Sequence, residues 1–387
     1  MDGATAESRL TAGAESRLTA ARSEAIDCRV AGPADDADLR RLLRGNPMGG
    51  WVTVALEREP HYFAELIAGE EHQAIIARDA VSGSAVGMCA RTVRPAYIDG
   101  AVRPLGYIGE LRINAGYRHR YRILRKGFET LRRDLHEPLR TPFYLTAIVS
   151  DNGAARRLLE ADLPGKPRYR PFAECSTLAI RTGAFPSDGC APAEEADIPA
   201  IAACLARNHA RYQFAPVWTE TALRNAPERG GPRATDFIVM RSGERVTGCV
   251  ALWDQSSVRQ AVIRGYDPRI AAWRPLLNLT GALTGLPRLP RTGEMLRQIY
   301  LAFAAVDDDD PALLQQLVAA ALTEARRRGF ALGIIGMADS NPMLPTLRRT
   351  FRARAYRSRL YLAHWEHGRA EVDRLQPRIP HVEASLL

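Results

Sequence analysis

A cluster of arginines at the start of a predicted helix is the feature of this sequence that most clearly could do chemistry. Residues 106–113 (GYIGELRI) have the composition of a strand, and the turn that follows carries Arg118, Arg120 and Arg122. The backbone N–H groups in the first turn of a helix have no intrahelical acceptor, and the helix dipole adds partial positive charge there. Arginine side chains add full charges and forked donors that suit phosphate oxygens. We interpret the turn as an anion-binding site, with a solvated basic helix start as the alternative.

The element that must position this turn is an amphipathic helix between two strands. Its apolar face is predicted from residues at helical spacing, which are Ile123, Leu124, Phe128, Leu131 and Leu135. A second strand follows at 145–152 (LTAIVSDN) and ends in a polar turn before another helix. A strand, a helix and a strand in this order form a crossover between parallel neighbours in a sheet.

Three pairs of similar segments occur in the same order in the two halves of the chain. They are 33–39 with 192–198, 74–90 with 237–251, and 145–152 with 334–341. The members of each pair share a predicted structure, namely an acidic helix start, a hairpin, and a buried strand that ends in a polar turn. Because three pairs in the same order are hard to obtain by chance, we infer an internal duplication. An insertion at 265–294 accounts for the wider spacing of the third pair.

The repeat predicts an α+β fold with two tandem domains, each a mixed, mostly antiparallel sheet flanked by helices. We place the first domain at 26–181, a linker rich in glycine, proline and serine at 182–190, and the second domain at 191–368. Residues 369–387 are predicted to be a C-terminal tail. Residues 1–25 repeat the segment AESRLTA and are expected to be a disordered extension.

The strand, basic turn and helix, followed by a strand that ends at Asn152, resemble the GNAT (GCN5-related) N-acetyltransferases. In that family the turn carries Q/R-x-x-G-x-G/A, and its amides cradle the pyrophosphate of coenzyme A. Arg118 matches the first position, whereas Tyr121 and Ile123 stand where the two small residues should be. The resemblance implies tandem GNAT-like domains, with an acyl-CoA site in the first one. The implied cofactor-binding residues are Ile113, Arg118, His119, Arg120, Tyr121, Arg122, Ile123 and Asn152.

The resemblance also implies groups that act on the reacting atoms. Many members use a carboxylate on the fourth strand as the general base for the amine, and Glu110 lies on that strand. The alternative is that Glu110 is an ordinary polar strand residue. Members often have a tyrosine in the next helix that protonates the leaving thiolate, and Leu159 occupies its place here. Either another group or water serves instead, or the first half is catalytically impaired.

The second half departs further from the family pattern. Its fourth strand is predicted at 298–305, and the next turn carries four consecutive aspartates, Asp307–Asp310. Carboxylates at this place would repel a pyrophosphate but would cap a helix that begins near Pro311. We interpret this half as a degenerate copy that shapes the acceptor site, stabilises the first half or binds a partner. The insertion, with Tyr266 and Trp273, either covers a cleft or packs as a surface arm.

Composition excludes several other classes of function. The net charge of +9 comes from 53 basic and 44 acidic residues, and arginine supplies nearly all of the basic ones throughout the chain, so no nucleic-acid partner is expected. The six cysteines form no CxxC pair and are expected to be buried thiols in a reducing cytoplasm. His364 and His367 lie on opposite faces of a predicted strand, so no metal is expected. No stretch is long and apolar enough to span a bilayer, and no membrane partner is expected.

The resemblance as a whole implies a cytoplasmic, acyl-CoA-dependent N-acyltransferase. Acetyl-CoA is the expected co-substrate, and a small-molecule or peptide amine is the expected acceptor. Two alternatives stay open at this point. One is a catalytically impaired sensor or scaffold, and the other is a transferase that uses aminoacyl-tRNA as the donor.

Overall fold

The computed structural model describes residues 26–50, 52–64, 71–118, 121–284 and 289–387. The expected N-terminal extension, residues 1–25, lies outside the described residues, as do His119 and Arg120 of the basic turn. Within the described residues, helices and strands are mixed along the chain, which confirms the α+β class.

The strands of the first part of the chain are β1 (Ile26–Val30), β2 (Val52–Glu57), β3 (Glu71–Asp79), β4 (Ala85–Ile98), β5 (Ala101–Ile113), β6 (Tyr144–Val149), β7 (Arg168–Arg181) and β8 (Cys190–Pro192). They continue with β9 (Ala215–Pro216), β10 (Phe237–Ser242), β11 (Arg245–Trp253), β12 (Gln260–Tyr266), β13 (Gln298–Val306), β14 (Leu332–Ala338) and β15 (Arg354–His364). The α-helices are α1 (Asp36–Gly45), α2 (Tyr121–Thr130), α3 (Gly153–Glu160), α4 (Ile198–His209), α5 (Glu220–Asn225), α6 (Pro268–Thr284), α7 (Pro311–Arg327), α8 (Leu344–Phe351) and α9 (Arg369–Arg374).

One large mixed sheet runs through the molecule in the order β1-β3-β4-β5-β6-β15-β7-β14-β13-β11-β10-β8, and β9 pairs with β4. The strands β2 and β12 form a separate two-stranded sheet. In the large sheet, β5 with β6 and β13 with β14 are parallel pairs, and the other pairs are antiparallel. Each parallel pair is joined by a helix, α2 in the first half and α7 in the second. The mixed, mostly antiparallel sheet and its two crossovers were both expected from the sequence.

The two halves exchange their last strands. Although β7 follows β6 and α3 in the chain, it pairs with β14 of the second half, with Cys175 opposite Ala338. The last strand of the second half, β15, lies between β6 and β7, with Ser358 opposite Val149. The sheet is therefore continuous through both halves, and the linker proposed at 182–190 divides the chain but not the sheet.

Helices cover both faces of the sheet. Alternate residues of β11 point to opposite sides, so that Val250 packs with α7 and Cys249 packs with α4. In the first half, α2 and α1 cover the two faces in the same way. The residues predicted to form the apolar face of α2 are buried, except for the half-buried Leu135, which lies in the π-helical turn that follows Thr130. The six cysteines are free thiols, four of them buried.

Two segments have more structure than their sequences indicated. Within the insertion at 265–294, an α-helix, α6, follows β12. The segment predicted as a C-terminal tail forms α9 and then packs on the sheet, where Val382 and Leu386 are buried. Gly336 allows this packing, because a Cβ atom there would lie 2.7 Å from the carbonyl oxygen of Val382. In the described part of the chain, no helix is both long and apolar enough to cross a membrane.

Candidate functional site

A gap opens in the sheet between β5 and β6. The two strands pair as parallel neighbours only at Gly106 with Tyr144 and at Tyr107 with Leu145. Beyond Tyr107 the strands part, and the helix α2 begins at the wide end of the gap. Gly106 lets the strands meet at the narrow end, because a Cβ atom there would lie 2.3 Å from the ring of Tyr144.

A β-bulge at Glu110 shapes the β5 side of this gap. The register between β4 and β5 shifts there, so that Ala90 faces Gly109 and Met88 faces Arg112. Glu110 has φ of 51°, a left-handed conformation that is unfavourable for a side chain other than glycine. A bulge removes backbone groups from the ladder and turns a side chain out of its regular direction. The bulge therefore places the Glu110 side chain and unpaired backbone groups beside the gap.

The Glu110 carboxylate is held by two neighbours from the chain before it, Tyr62 and Arg58. The Tyr62 hydroxyl donates to it over 2.7 Å, and the Arg58 Nε atom lies 3.7 Å from it. Arg58 also lies 2.6 Å from Nε2 of His72, which fixes the guanidinium. Burial by itself would raise the pKa of Glu110, but the basic groups around it, Arg58 foremost, and the Tyr62 hydrogen bond together outweigh burial and bring this pKa to about 2. Glu110 is therefore ionised and a weak base.

Groups from the second half complete the surroundings of Glu110. The Arg259 guanidinium contributes to the low pKa of Glu110 and donates to the backbone oxygens of Ser385 and Leu387, at 3.1 and 2.8 Å. Next to it, Gln260 exchanges two hydrogen bonds with the backbone of Glu59, both of 2.9 Å. The cleft around Glu110 is therefore lined by both halves and by the C-terminal segment.

A buried donor without a partner lies beside the bulge. Arg112 donates through one terminal nitrogen to the Leu111 carbonyl at 3.0 Å, but its buried Nε finds no hydrogen-bond partner among the described residues. Burial lowers the pKa of Arg112, with Glu110 acting in the opposite direction. Such an orphaned donor is costly in a folded protein unless a ligand satisfies it. Arg112 therefore keeps one buried donor that no described residue satisfies.

The basic turn is tied to the rest of the first half through Arg118. Its Nε donates to the Ile113 carbonyl at 3.1 Å, and a terminal nitrogen donates to Asn46 at 3.2 Å. Asn46 is buried and also donates to Asn114 over 2.8 Å. The predicted residues Ile113 and Arg118 thus lie together at the end of β5. Asn46 and Asn114 were missed, because an Asn at a helix end carries no distinctive signal.

The two bulky residues in the turn are engaged within the protein. The Tyr121 hydroxyl donates to the Pro164 carbonyl over 2.8 Å. The Ile123 side chain is 3% exposed and packs in a core cluster with Ala77 and Val86. Both bulky side chains therefore have partners within the protein, and the dipole of α2 still favours an anion near the start of the helix. Arg122 lies exposed between these two residues.

The opposite wall of the gap contains Asn152 and a tyrosine that sequence analysis missed. Asn152 caps α3 and accepts from the N–H group of Ala155 at 3.1 Å. Leu159 is buried in the core. Tyr107 is buried on β5, where it pairs with Leu145 of β6 at the narrow end of the gap. Burial raises the pKa of Tyr107, so the hydroxyl keeps its proton.

The second half repeats the gap and the bulge. The strands β13 and β14 pair only from Gln298 to Tyr300, and Phe303 has φ of 56° at the bulge. Here the protein's own chain occupies the gap, because Glu383 accepts from the N–H group of Phe303 over 3.0 Å and Val382 lies against Gly336. What is left is a cavity of about 40 Å³, lined by residues that include His209, Tyr212, Asn341 and His381. It has room for a few water molecules only.

The aspartates of the second-half turn are paired with arginines. Asp307 lies 2.8 Å from Arg207 and 2.7 Å from Arg245, and Asp309 lies 2.8 Å from Arg211. Asp310 accepts from the N–H groups of Ala312 and Leu313 at the start of α7, as the capping prediction required. These carboxylates follow β13 at the position that corresponds to the basic turn after β5 in the first half.

One of the two histidines from which no metal site was expected, His367, contacts a third histidine, His136. Nε2 of His367 lies 2.6 Å from Nε2 of His136, whose Nδ1 lies 2.9 Å from the Tyr144 hydroxyl. His364 is buried and contacts the backbone of Trp365 instead. In the described residues, no group of three or more His, Cys, Asp or Glu side chains could hold a metal ion.

Comparison with known proteins places the fold. No protein-family model matches the sequence, and no curated protein matches it either. Saccharomyces cerevisiae N-myristoyltransferase with bound myristoyl-CoA aligns with a TM-score of 0.58 and 13% identity, over 88% of this chain and 83% of that chain. A GCN5-related N-acetyltransferase from Sphaerobacter thermophilus aligns with a TM-score of 0.52 and 13% identity, over 93% of this chain and 98% of that chain. The chain has the GNAT-type fold.

Proposed function

We propose that this protein is an acyl-CoA-dependent N-acyltransferase whose first half binds the acyl donor between β5 and β6. The observation that carries the proposal is the gap, in which the strands part after Tyr107, a bulge stands at Glu110, and α2 begins at the wide end. Of the two proteins aligned above, the S. cerevisiae enzyme holds myristoyl-CoA. For this chain we propose acetyl-CoA as the donor, a small-molecule or peptide amine as the acceptor, and a cytoplasmic location.

The start of α2 would hold the phosphates of the donor. The dipole of α2 favours an anion near the start of the helix. Arg118 and Arg122 add positive charge, and the hydrogen bond to Asn46 orients Arg118. His119 and Arg120 belong to the same proposed site by sequence, and Asn152 closes it from the side of β6.

The groups around the bulge would act on the thioester, which supplies the acyl group. Backbone N–H groups released by the bulge can stabilise the negative charge that develops on the carbonyl oxygen. The unpartnered Nε of Arg112 is a second donor in this place. Tyr107 keeps its proton at neutral pH and lies at the narrow end of the gap, so we propose that it protonates the leaving thiolate in place of the missing tyrosine.

Glu110 would receive the proton of the amine. With a pKa of about 2, it cannot deprotonate a free ammonium ion efficiently. The transfer is therefore expected only as the neutral amine attacks, when its nitrogen becomes strongly acidic. Before that step the ionised carboxylate, together with Tyr62, would orient the acceptor in the cleft.

Release of free CoA tests this proposal. The full chain would be incubated with acetyl-CoA or longer acyl-CoAs and a panel of primary amines and peptides, and thiol formation would be followed. Glu110→Gln should lower turnover by about 100-fold while acetyl-CoA affinity stays the same. Glu129→Gln, an exposed change on α2, should leave turnover unchanged.

Three other results would count against the proposal. Full turnover in Glu110→Gln would remove Glu110 from the reaction. Acyl-CoA binding without turnover, whatever the amine, would favour the sensor or scaffold alternative. Binding of aminoacyl-tRNA that weakens with added salt would favour the alternative of a transferase that uses aminoacyl-tRNA as the donor.

A further inference from the structure

Helix α6 presents large apolar side chains to solvent. The most exposed of them are Trp273 at 60%, Leu276 at 47%, Leu277 at 37% and Leu279 at 69%. The apolar surface continues onto Met295, which pairs with Val262 of β12 and is 40% exposed. Adjacent large apolar residues that stay exposed in a folded protein mark an interaction surface rather than a core.

The helix is held to the protein along a different side. Asn278 exchanges hydrogen bonds of 3.1 and 2.7 Å with the backbone of Leu289. Arg274 and Tyr266 both donate to the Pro290 carbonyl, at 2.9 and 2.7 Å. Arg274 and Asn278 are half-buried and one helical turn apart, so they form the side that faces the returning chain. The exposed apolar residues are therefore presented by a helix that is itself fixed in place.

The chain around these apolar residues is basic. Residues 267–294 carry Arg269, Arg274, Arg288 and Arg291 against only Asp267 and Glu294, one at each end. Tryptophan and leucine side chains enter the boundary between lipid headgroups and acyl chains, and arginines beside them meet lipid phosphates. The combination is complementary to an anionic lipid surface in both its apolar and its charged parts.

A second copy of this chain fits the same surface less well. Dimers of identical chains are mostly built around a twofold axis, so that the same surface meets itself. Two copies of α6 would then bring the arginines of one against the arginines of the other. Residues 267–294 contain four arginines and two acidic residues, Asp267 and Glu294, so the segment is positively charged and two copies of it would repel each other.

We propose that α6 docks on a membrane surface that contains anionic lipid, with Trp273, Leu276 and Leu279 entering the headgroup region. From the sequence we expected this segment to cover a cleft or to pack as a surface arm, and we expected no membrane partner. We now infer a membrane contact because the apolar side chains of the helix are exposed. This inference goes beyond the proposed function, since it concerns a surface outside the gap between β5 and β6.

Vesicle binding of the full chain tests the inference. Vesicles of phosphatidylcholine alone and vesicles of equal parts phosphatidylcholine and phosphatidylglycerol would be compared by co-sedimentation. Binding is expected to the anionic vesicles and to weaken with added salt. Trp273 serves as a reporter, because its fluorescence should shift to shorter wavelength with anionic vesicles, and Trp273→Phe should remove that shift.

Matched variants distinguish lipid binding by α6 from nonspecific lipid binding by other exposed apolar residues. Leu279→Glu should weaken the binding by about tenfold or more, since it removes a leucine that would enter the lipid and adds a charge that anionic lipid repels. Arg269→Gln should weaken it by about fivefold. Leu139→Glu, at a fully exposed leucine far along the chain from α6, should leave the binding unchanged. Each substituted side chain is exposed, so the thermal unfolding midpoint should stay that of the parent protein.

Three results would overturn the inference. The first is no co-sedimentation with anionic vesicles. The second is binding that Leu279→Glu and Leu139→Glu leave equally strong. The third is a dimer in light scattering that Leu279→Glu converts to a monomer, which would make α6 a contact between copies. Since acyl-CoA binding is measured without vesicles, failure here is distinguishable from failure of the proposed function.

Discussion

The backbone N–H group of Phe303 donates to the Glu383 carboxylate over 3.0 Å, at the bulge that corresponds to Glu110 in the first half. The two bulge residues share a positive φ, 56° for Phe303 and 51° for Glu110. In the second half, a carboxylate of the protein's own C-terminal segment thus meets the donor that we assign to the thioester in the first half. The C-terminal segment is therefore part of the fold.

Loss of the Glu383 side chain should destabilise the protein. Glu383→Ala removes the acceptor for the Phe303 N–H group and for the Ser385 hydroxyl, which should cost about 1–3 kcal/mol in urea unfolding. The control Glu366→Ala changes a side chain that is 74% exposed and should stay within about 0.5 kcal/mol of the parent protein. Equal stabilities of the two variants would show that the contact with Phe303 contributes nothing.

A side chain at Gly106 should disturb the narrow end of the gap. Gly106→Ala would place a methyl group 2.3 Å from the ring of Tyr144, and the repacking should cost about 1–3 kcal/mol in unfolding free energy. Gly127→Ala, within α2 and with no atom within 4 Å of the new methyl group, should instead stabilise the protein by about 0.5–1 kcal/mol. Changes of the same sign in both variants would contradict the tight contact between β5 and β6.

Acid should destabilise the protein through His209. Burial, with a smaller effect of His381, lowers the pKa of His209 to about 3, whereas an exposed histidine titrates at about 6.5. The unfolded state binds the proton first, so the stabilisation from neutral His209 is complete above about pH 6.5 and is lost as the pH falls. Between about pH 6.5 and 5 the loss is about 2 kcal/mol for this residue.

Unfolding measured across this pH range checks the assignment. His209→Gln should lose less stability than the parent protein as the pH is lowered. His61→Gln, at an exposed histidine, should follow the parent curve. If the slope of His209→Gln matches that of the parent protein, His209 is not the group that couples folding to protons.

The sequence predicted those features that depend on local patterns. The apolar spacing from Ile123 to Leu131 identified α2, since a helix with one buried face repeats every three or four residues. The aspartate at position 310 identified the start of α7, because an N-cap needs only a side-chain acceptor ahead of the first turn. The internal repeat identified the two crossovers, since each half carries its own strand, helix and strand.

Features that depend on distant pairing were beyond sequence reasoning. The exchange of β7 and β15 leaves no trace in either strand, because each alternates in the same way beside any neighbour. Arg58 and Tyr62 reach Glu110 through a loop with no regular spacing, and Arg259 comes from the other half of the chain. These groups set the pKa of Glu110, so its weakness as a base was not predictable from its position on the strand.

The most direct test of the account is calorimetric titration of the full chain with acetyl-CoA. We predict one site for each chain, since the C-terminal segment fills the gap of the second half. Arg122→Glu, at the start of α2, should weaken the affinity by about tenfold, whereas Arg349→Glu, an exposed arginine on α8, should not change it. No heat at about 1 mM acetyl-CoA, or an equal loss of affinity in both variants, would contradict a donor site in the first half.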